Sequence, residues 1–197
     1  MLISMFLFAV AMSITPGPVN TVILSIGINY GLKNTLPYIA GATFGLLFLL
    51  LLIGFGLHDI FVIYPMLLKV LAICGSLFIC YIAFKIMLSK SKLSVKNKED
   101  IDTPKFKDGL LMQWLNPKAW LACISGTTMF SSLSSYDTLI TFIVVYFFTC
   151  YLCLFLWGFC GDSFSAILKV GKRMQYFNWL MGSFLIISAI SILIDFI

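Results

Sequence analysis

The chain has 197 residues, of which 61% are hydrophobic and only 11% charged, with a formal net charge of +5. A soluble domain carries about 25% charged residues, so this chain cannot cover a water-facing surface, and its solvent is expected to be lipid. The basic residues fall in short segments between apolar stretches, which favours orientation in a membrane over binding to nucleic acid.

Six apolar stretches follow in order, over residues 2–28, 36–57, 64–88, 109–130, 138–160 and 177–196. A hydrocarbon core of about 30 Å takes about 20 helical residues at 1.5 Å each. The lengths therefore predict an all-α membrane protein with six transmembrane helices in a single domain, 1–197.

The first stretch is the longest and is interrupted by Thr15-Pro16-Gly17-Pro18-Val19-Asn20. Proline removes a backbone donor and clashes with the preceding turn. In lipid the freed carbonyls need protein or water as partners. The stretch has no Lys or Arg before its apolar run, so Ala11-Met12-Ser13 is not expected to act as a cleavage site.

The second and third stretches carry Gly41-x-x-x-Gly45 and Ala72-x-x-Gly75. Such small-residue patterns allow close helix packing within the subunit, or a homodimer. His58-Asp59, after the second stretch, sits at a segment end, where a proton relay or simple solvation both fit.

Residues 89–108 hold six lysines mixed with Glu99, Asp100 and Asp102 and read as a solvated cytoplasmic linker. It divides a first half, 1–88, from a second half, 109–197.

The fourth stretch contains a second proline break, Asn116-Pro117-Lys118-Ala119-Trp120, with Gln113 one turn earlier. Lys118 is the only full charge well inside an apolar stretch. Such a charge points to function by default, while its long stem also permits snorkelling to the interface.

The fifth stretch includes Cys150-x-x-Cys153, and all six cysteines lie in apolar stretches, where thiols act as small apolar packers. The chain has one histidine, so neither a metal site nor a cofactor is expected. Catalysis would need a nucleophile and base or a metal set, and no Asp or Glu lies deep in a stretch. An enzyme is therefore not expected. Tyr64, Tyr136, Tyr176 and Trp179, near stretch ends, fit interfacial anchors.

Lys33 lies in the first loop, seven lysines flank or fill the third, and Lys169, Lys172 and Arg173 lie in the fifth. The positive-inside rule makes these loops cytoplasmic and puts both termini outside. The first and fourth helices then enter from opposite faces, giving two inverted three-helix halves with both breaks near the midplane. Paired interrupted helices in corresponding halves point to a transporter's binding site. Its candidate residues are Thr15, Pro16, Gly17, Pro18, Asn20, Gln113, Asn116, Pro117 and Lys118. A half-helix N-terminus near residues 19–21 attracts a carboxylate, and freed carbonyls accept from an ammonium group, so the site suits a zwitterion. A simple packing kink is the alternative.

Several motifs together resemble the LysE/RhtB-type amino-acid exporters. They are Thr15-Pro16-Gly17-Pro18, the glycines Gly31, Gly41 and Gly45, Gly75 followed by Tyr81-Ile82-Ala83-Phe84-Lys85, and Phe106-Lys107-Asp108-Gly109-Leu110 followed by Asn116-Pro117-Lys118-Ala119-Trp120. The resemblance implies efflux of amino acids or similar small solutes across the inner membrane, driven by a proton or ion gradient. A permease of the same fold for a metal cation or short peptide stays open, as does a membrane assembly or thiol-redox protein.

Overall fold

In lipid a helix meets its own backbone hydrogen-bonding needs, and every element of the computed structural model is helical. It describes residues 1–57, 66–88, 104–130, 136–168 and 172–196. Among these residues the helices are α1 (Leu2–Ile14), α2 (Pro18–Tyr30), α3 (Leu32–Leu52), α4 (Met66–Met87), α5 (Phe106–Trp114), α6 (Pro117–Phe130), α7 (Tyr136–Leu168) and α8 (Arg173–Phe196). A π-helical turn, Ile53–Leu57, continues α3. His58, Asp59, Tyr64, Lys169 and most of the linker charges lie outside the described residues.

Four of these helices, α3, α4, α7 and α8, are long and apolar enough to cross a membrane. α1 and α2 meet at 63° and form either a fifth, broken span or a re-entrant loop. Leu7, Phe48, Phe148, Leu152 and Ile187 stand exposed on the outer surface, as expected where lipid is the solvent. The protein is a multi-pass membrane protein.

The residues before prolines explain the first interruption. A residue preceding proline is pushed out of the helical region, and Thr15 and Gly17 precede Pro16 and Pro18. Both are extended, Thr15 at φ −60° and ψ 128° and Gly17 at φ −168° and ψ −179°. Pro18 then starts α2 at its first position, where its missing N–H costs nothing.

Several helix bounds differ from those read in the sequence. α3 starts at Leu32 rather than residue 36, because Gly31 turns the chain at φ 83° directly after α2. α5 begins at Phe106, inside what reads as linker, because the Asp108 carboxylate accepts the Lys105 N–H at 2.7 Å. α7 runs for 33 residues through Gly161-Asp162-Ser163 to Leu168. At 1.5 Å per residue that is about 50 Å, longer than a bilayer core.

α1 and α2 pack along α7, α3 packs against α5 and α7, and α4 pairs with α8. The small residues serve these contacts. A Cβ on Gly27 of α2 would sit 2.6 Å from the Gly158 carbonyl of α7. Gly41 and Gly45 meet Phe106 and Leu110 of α5, and Gly75 of α4 meets the Leu115 carbonyl between α5 and α6. An aromatic cluster joins α1, α6 and α7: Phe8 lies 5.7 Å from Phe130, and Phe130 lies 5.0 Å from Phe142.

Candidate substrate cleft at the two helix interruptions

Each proline leaves a carbonyl without its usual partner four residues later. Pro18 deprives Ile14, and the Trp157 indole of α7 donates to that carbonyl at 3.3 Å. The Asn20 amide turns back to donate to the Ser13 carbonyl at 2.8 Å and the Thr15 carbonyl at 3.3 Å. The Thr15 hydroxyl donates to the Ala11 carbonyl. Lys118, from α6, reaches across to the same segment: its Nζ donates to the Thr15 carbonyl at 3.1 Å and approaches the Pro16 carbonyl at 3.5 Å. A Cβ on Gly17 would stand 3.4 Å from that Nζ, in ordinary contact, so a small residue here leaves the lysine room and a branched one would crowd it.

The second interruption is closed differently. The Asn116 side chain accepts the Lys118 N–H at 3.1 Å, and its carbonyl accepts the Ala119 N–H at 2.9 Å. Asn116 thereby caps α6. Its own N–H donates to the Gln113 carbonyl, which Pro117 would otherwise leave unmet, at 3.3 Å. The Trp120 indole donates to the Trp114 carbonyl at 2.6 Å. α2 has no side-chain cap. Its first bonded amide is Thr21, to the Gly17 carbonyl at 2.9 Å, so the Val19 and Asn20 N–H groups remain available.

Between these termini lies a small open cleft with a cavity volume of about 40 Å³. Ser13, Gly17, Asn20, Gln113, Asn116 and Lys118 line it, with Tyr146 and Cys150 from α7. Ser13 is 6% exposed and its hydroxyl has no partner. Gln113 is 7% exposed, and its amide bonds no other described residue. Among the described residues Lys118 is the only charged side chain on the lining, and no carboxylate joins it there.

Five of the residues predicted from sequence therefore meet on the cleft: Gly17, Asn20, Gln113, Asn116 and Lys118. Thr15 and Pro16 contribute carbonyls to Lys118 rather than side chains. Pro18 and Pro117 are buried and start the two half-helices. Trp157, Tyr146 and Cys150 are additions from α7, whose uninterrupted apolar sequence gives no sign of which residues face inward. Cys150 and Cys153 are both buried free thiols. Among the described residues no group of three or more His, Cys, Asp or Glu is placed to hold a metal ion.

Two uncapped N–H groups, a lysine and unpartnered polar side chains form a set that can take a carboxylate away from water. The Ser13 hydroxyl and the Gln113 carbonyl can accept from an ammonium group.

The family model for the LysE type translocator matches residues 10–195. No curated protein and no solved structure matches the chain. The match runs through both helix interruptions and nearly the whole sequence, and the chain belongs to the LysE type translocators, a family of membrane transporters of small solutes.

Proposed function

We propose that the protein exports amino acids or close derivatives across the inner membrane by alternating access around the cleft. α1 with α2, and α5 with α6, are each one broken span, giving six spans in two inverted halves with both termini outside. The packing supports that arrangement. Exchanging α1 and α2 for α5 and α6, α3 for α7, and α4 for α8 turns the α1–α7 contact into the α5–α3 contact and returns α4–α8 to itself. The basic residues Lys33, Lys85, Lys105, Lys107, Lys172 and Arg173 flank the ends assigned to the cytoplasm.

The observation that carries the function is the bond from Lys118 Nζ to the Thr15 carbonyl. It puts the lining's one positive charge beside the uncapped start of α2, where a carboxylate gains from both. A cargo carboxylate takes Lys118 from the Thr15 carbonyl, and its ammonium group meets Ser13 and Gln113. A divalent cation finds a lysine and no carboxylate among the described residues of this lining. Lys118 is also the ionisable group placed to couple transport to the proton gradient.

Uptake into energised everted membrane vesicles tests the proposal, with a panel of amino acids and divalent metal ions. At least one neutral amino acid accumulates, an uncoupler abolishes the accumulation, and the metals do not move. If no amino acid accumulates, the proposal is wrong.

A further inference from the structure

The two ends of the central cleft are closed by different kinds of contact. Toward the start of α1, three aromatic rings meet one helical turn beyond the lining. Phe8 lies a turn before Met12 on α1, Phe142 a turn before Tyr146 on α7, and Gly126 a turn after Ala122 on α6. Phe8 is 6.0 Å from Phe142 and 6.0 Å from Tyr146, and Phe142 is 5.5 Å from Tyr146, centroid to centroid. Gly126 provides the notch they fill: a Cβ there would collide with the Phe142 ring and stand 2.9 Å from Phe8 Cε1. Phe142 is wholly buried, and Tyr146 belongs both to the ring cluster and to the wall of the cleft.

The other end is shut by backbone against backbone. On α7 it begins a turn after Leu154 of the lining, and on α5 a turn before Gln113. A Cβ on Gly161 of α7 would lie 2.6 Å from the Leu24 carbonyl of α2, and one on Gly109 of α5 would collide with the Tyr38 carbonyl of α3. Rotation about χ1 carries a ring from one staggered position to another. Backbones in contact separate only when whole helices move as bodies. The ring end can therefore open while the glycine end stays closed.

We propose that Phe8, Phe142 and Tyr146 form a side-chain gate across the exit of the cleft, and that their rings swing aside to release the cargo. Tyr146 is the ring a bound cargo touches, so it passes the presence of cargo to the other two. The gate deepens the export reading and rests on it for opening outward, the face on which that reading places the start of α1.

Sided thiol labelling tests the gate without needing cargo. Two reporters on the lining are used, native Cys150 and Ser13→Cys, with the other native cysteines kept. Right-side-out and everted vesicles are treated with a small membrane-impermeant methanethiosulfonate, and peptide mass spectrometry reads the labelling rate at each position. Phe8→Ala and Phe142→Ala should each raise that rate several-fold in right-side-out vesicles and leave it unchanged in everted ones. Phe142→Leu, which keeps most of the buried volume, should raise it less. Leu152→Ala, on the exposed face of α7, should not change it. An unchanged rate at both reporters in both alanine variants overturns the gate. So does an equal rise from both faces with a lowered melting temperature, which is loosened packing. A rise confined to everted vesicles overturns the outward placement. Gated labelling without amino-acid export supports the gate and rejects the export reading alone, whereas export with no rise in labelling rejects the gate alone.

Discussion

Lys118 Nζ lies 3.1 Å from the Thr15 carbonyl, 103 residues away in sequence, and this bond ties the two helix interruptions to each other. Each end has a local cause: the carbonyl is available because the residue before Pro16 is extended, and the small Gly17 leaves clear the space that the ammonium occupies.

Replacing Lys118 removes a charge-assisted bond worth about 1.5–3 kcal/mol. At about 1.4 kcal/mol per factor of ten, Lys118→Ala should cut transport by roughly tenfold or more. Membrane insertion should persist, because the substitution removes a charge from an apolar span. Initial uptake rates in everted vesicles, normalised to the amount of protein in the membrane, check this.

Gly17 sets the lysine's position by what it lacks. Gly17→Ala places a methyl group at ordinary contact distance, 3.4 Å from Nζ, and should retain most activity. Gly17→Val fills the space Lys118 occupies and should lower transport several-fold. Equal uptake by the two variants would contradict the steric role.

Asn20 satisfies two backbone carbonyls with one amide. Asn20→Leu leaves the Ser13 carbonyl unmet in a buried place, at about 1–3 kcal/mol for an unsatisfied group, while Lys118 still serves the Thr15 carbonyl. The detergent-solubilised variant should melt several degrees below the parent chain and transport poorly. Asn20→Asp cannot donate either bond, and should fare no better in the same melting assay.

α2 and α7 touch through their backbones at Gly27, Gly158 and Gly161. Gly27→Leu forces those backbones apart, because even its Cβ would lie 2.6 Å from the Gly158 carbonyl. Yield of folded protein should fall sharply. Leu152→Ala, on the exposed face of the same α7, should leave both yield and melting temperature near those of the parent chain.

The helical, membrane-bound character was legible in composition and stretch length, because a hydrophobic span of fixed thickness dictates both. Pro16, Pro18 and Pro117 could be read directly, since proline's effect on the backbone is local and needs no tertiary context. Lys118 stood out as a charge where lipid tolerates none. Trp157 and Tyr146 did not, because α7 is apolar on every side and its inward face is set only by its packing against α1, α2 and α3. The helix ends at Leu32, Phe106 and Leu168 were missed for a similar reason. They depend on a turn at Gly31, a carboxylate at Asp108 and a helix extending beyond the bilayer core, rather than on hydropathy.

The unequal closure of the two half-helices has a stereochemical consequence. Asn116 occupies the start of α6, so only α2 offers its amides, and the amino-acid cargo proposed above would have one end pinned rather than two interchangeable berths. With the carboxylate fixed there and the ammonium held near Ser13 and Gln113, the α-carbon's handedness decides where the side chain points. One enantiomer would send it toward Tyr146 and Cys150 of α7, which line the cleft, and its mirror image would send it elsewhere. Chiral selection would then fall to the wall supplied by α7, and a change of cargo between related carriers would be written into that helix while the anchoring residues stay the same.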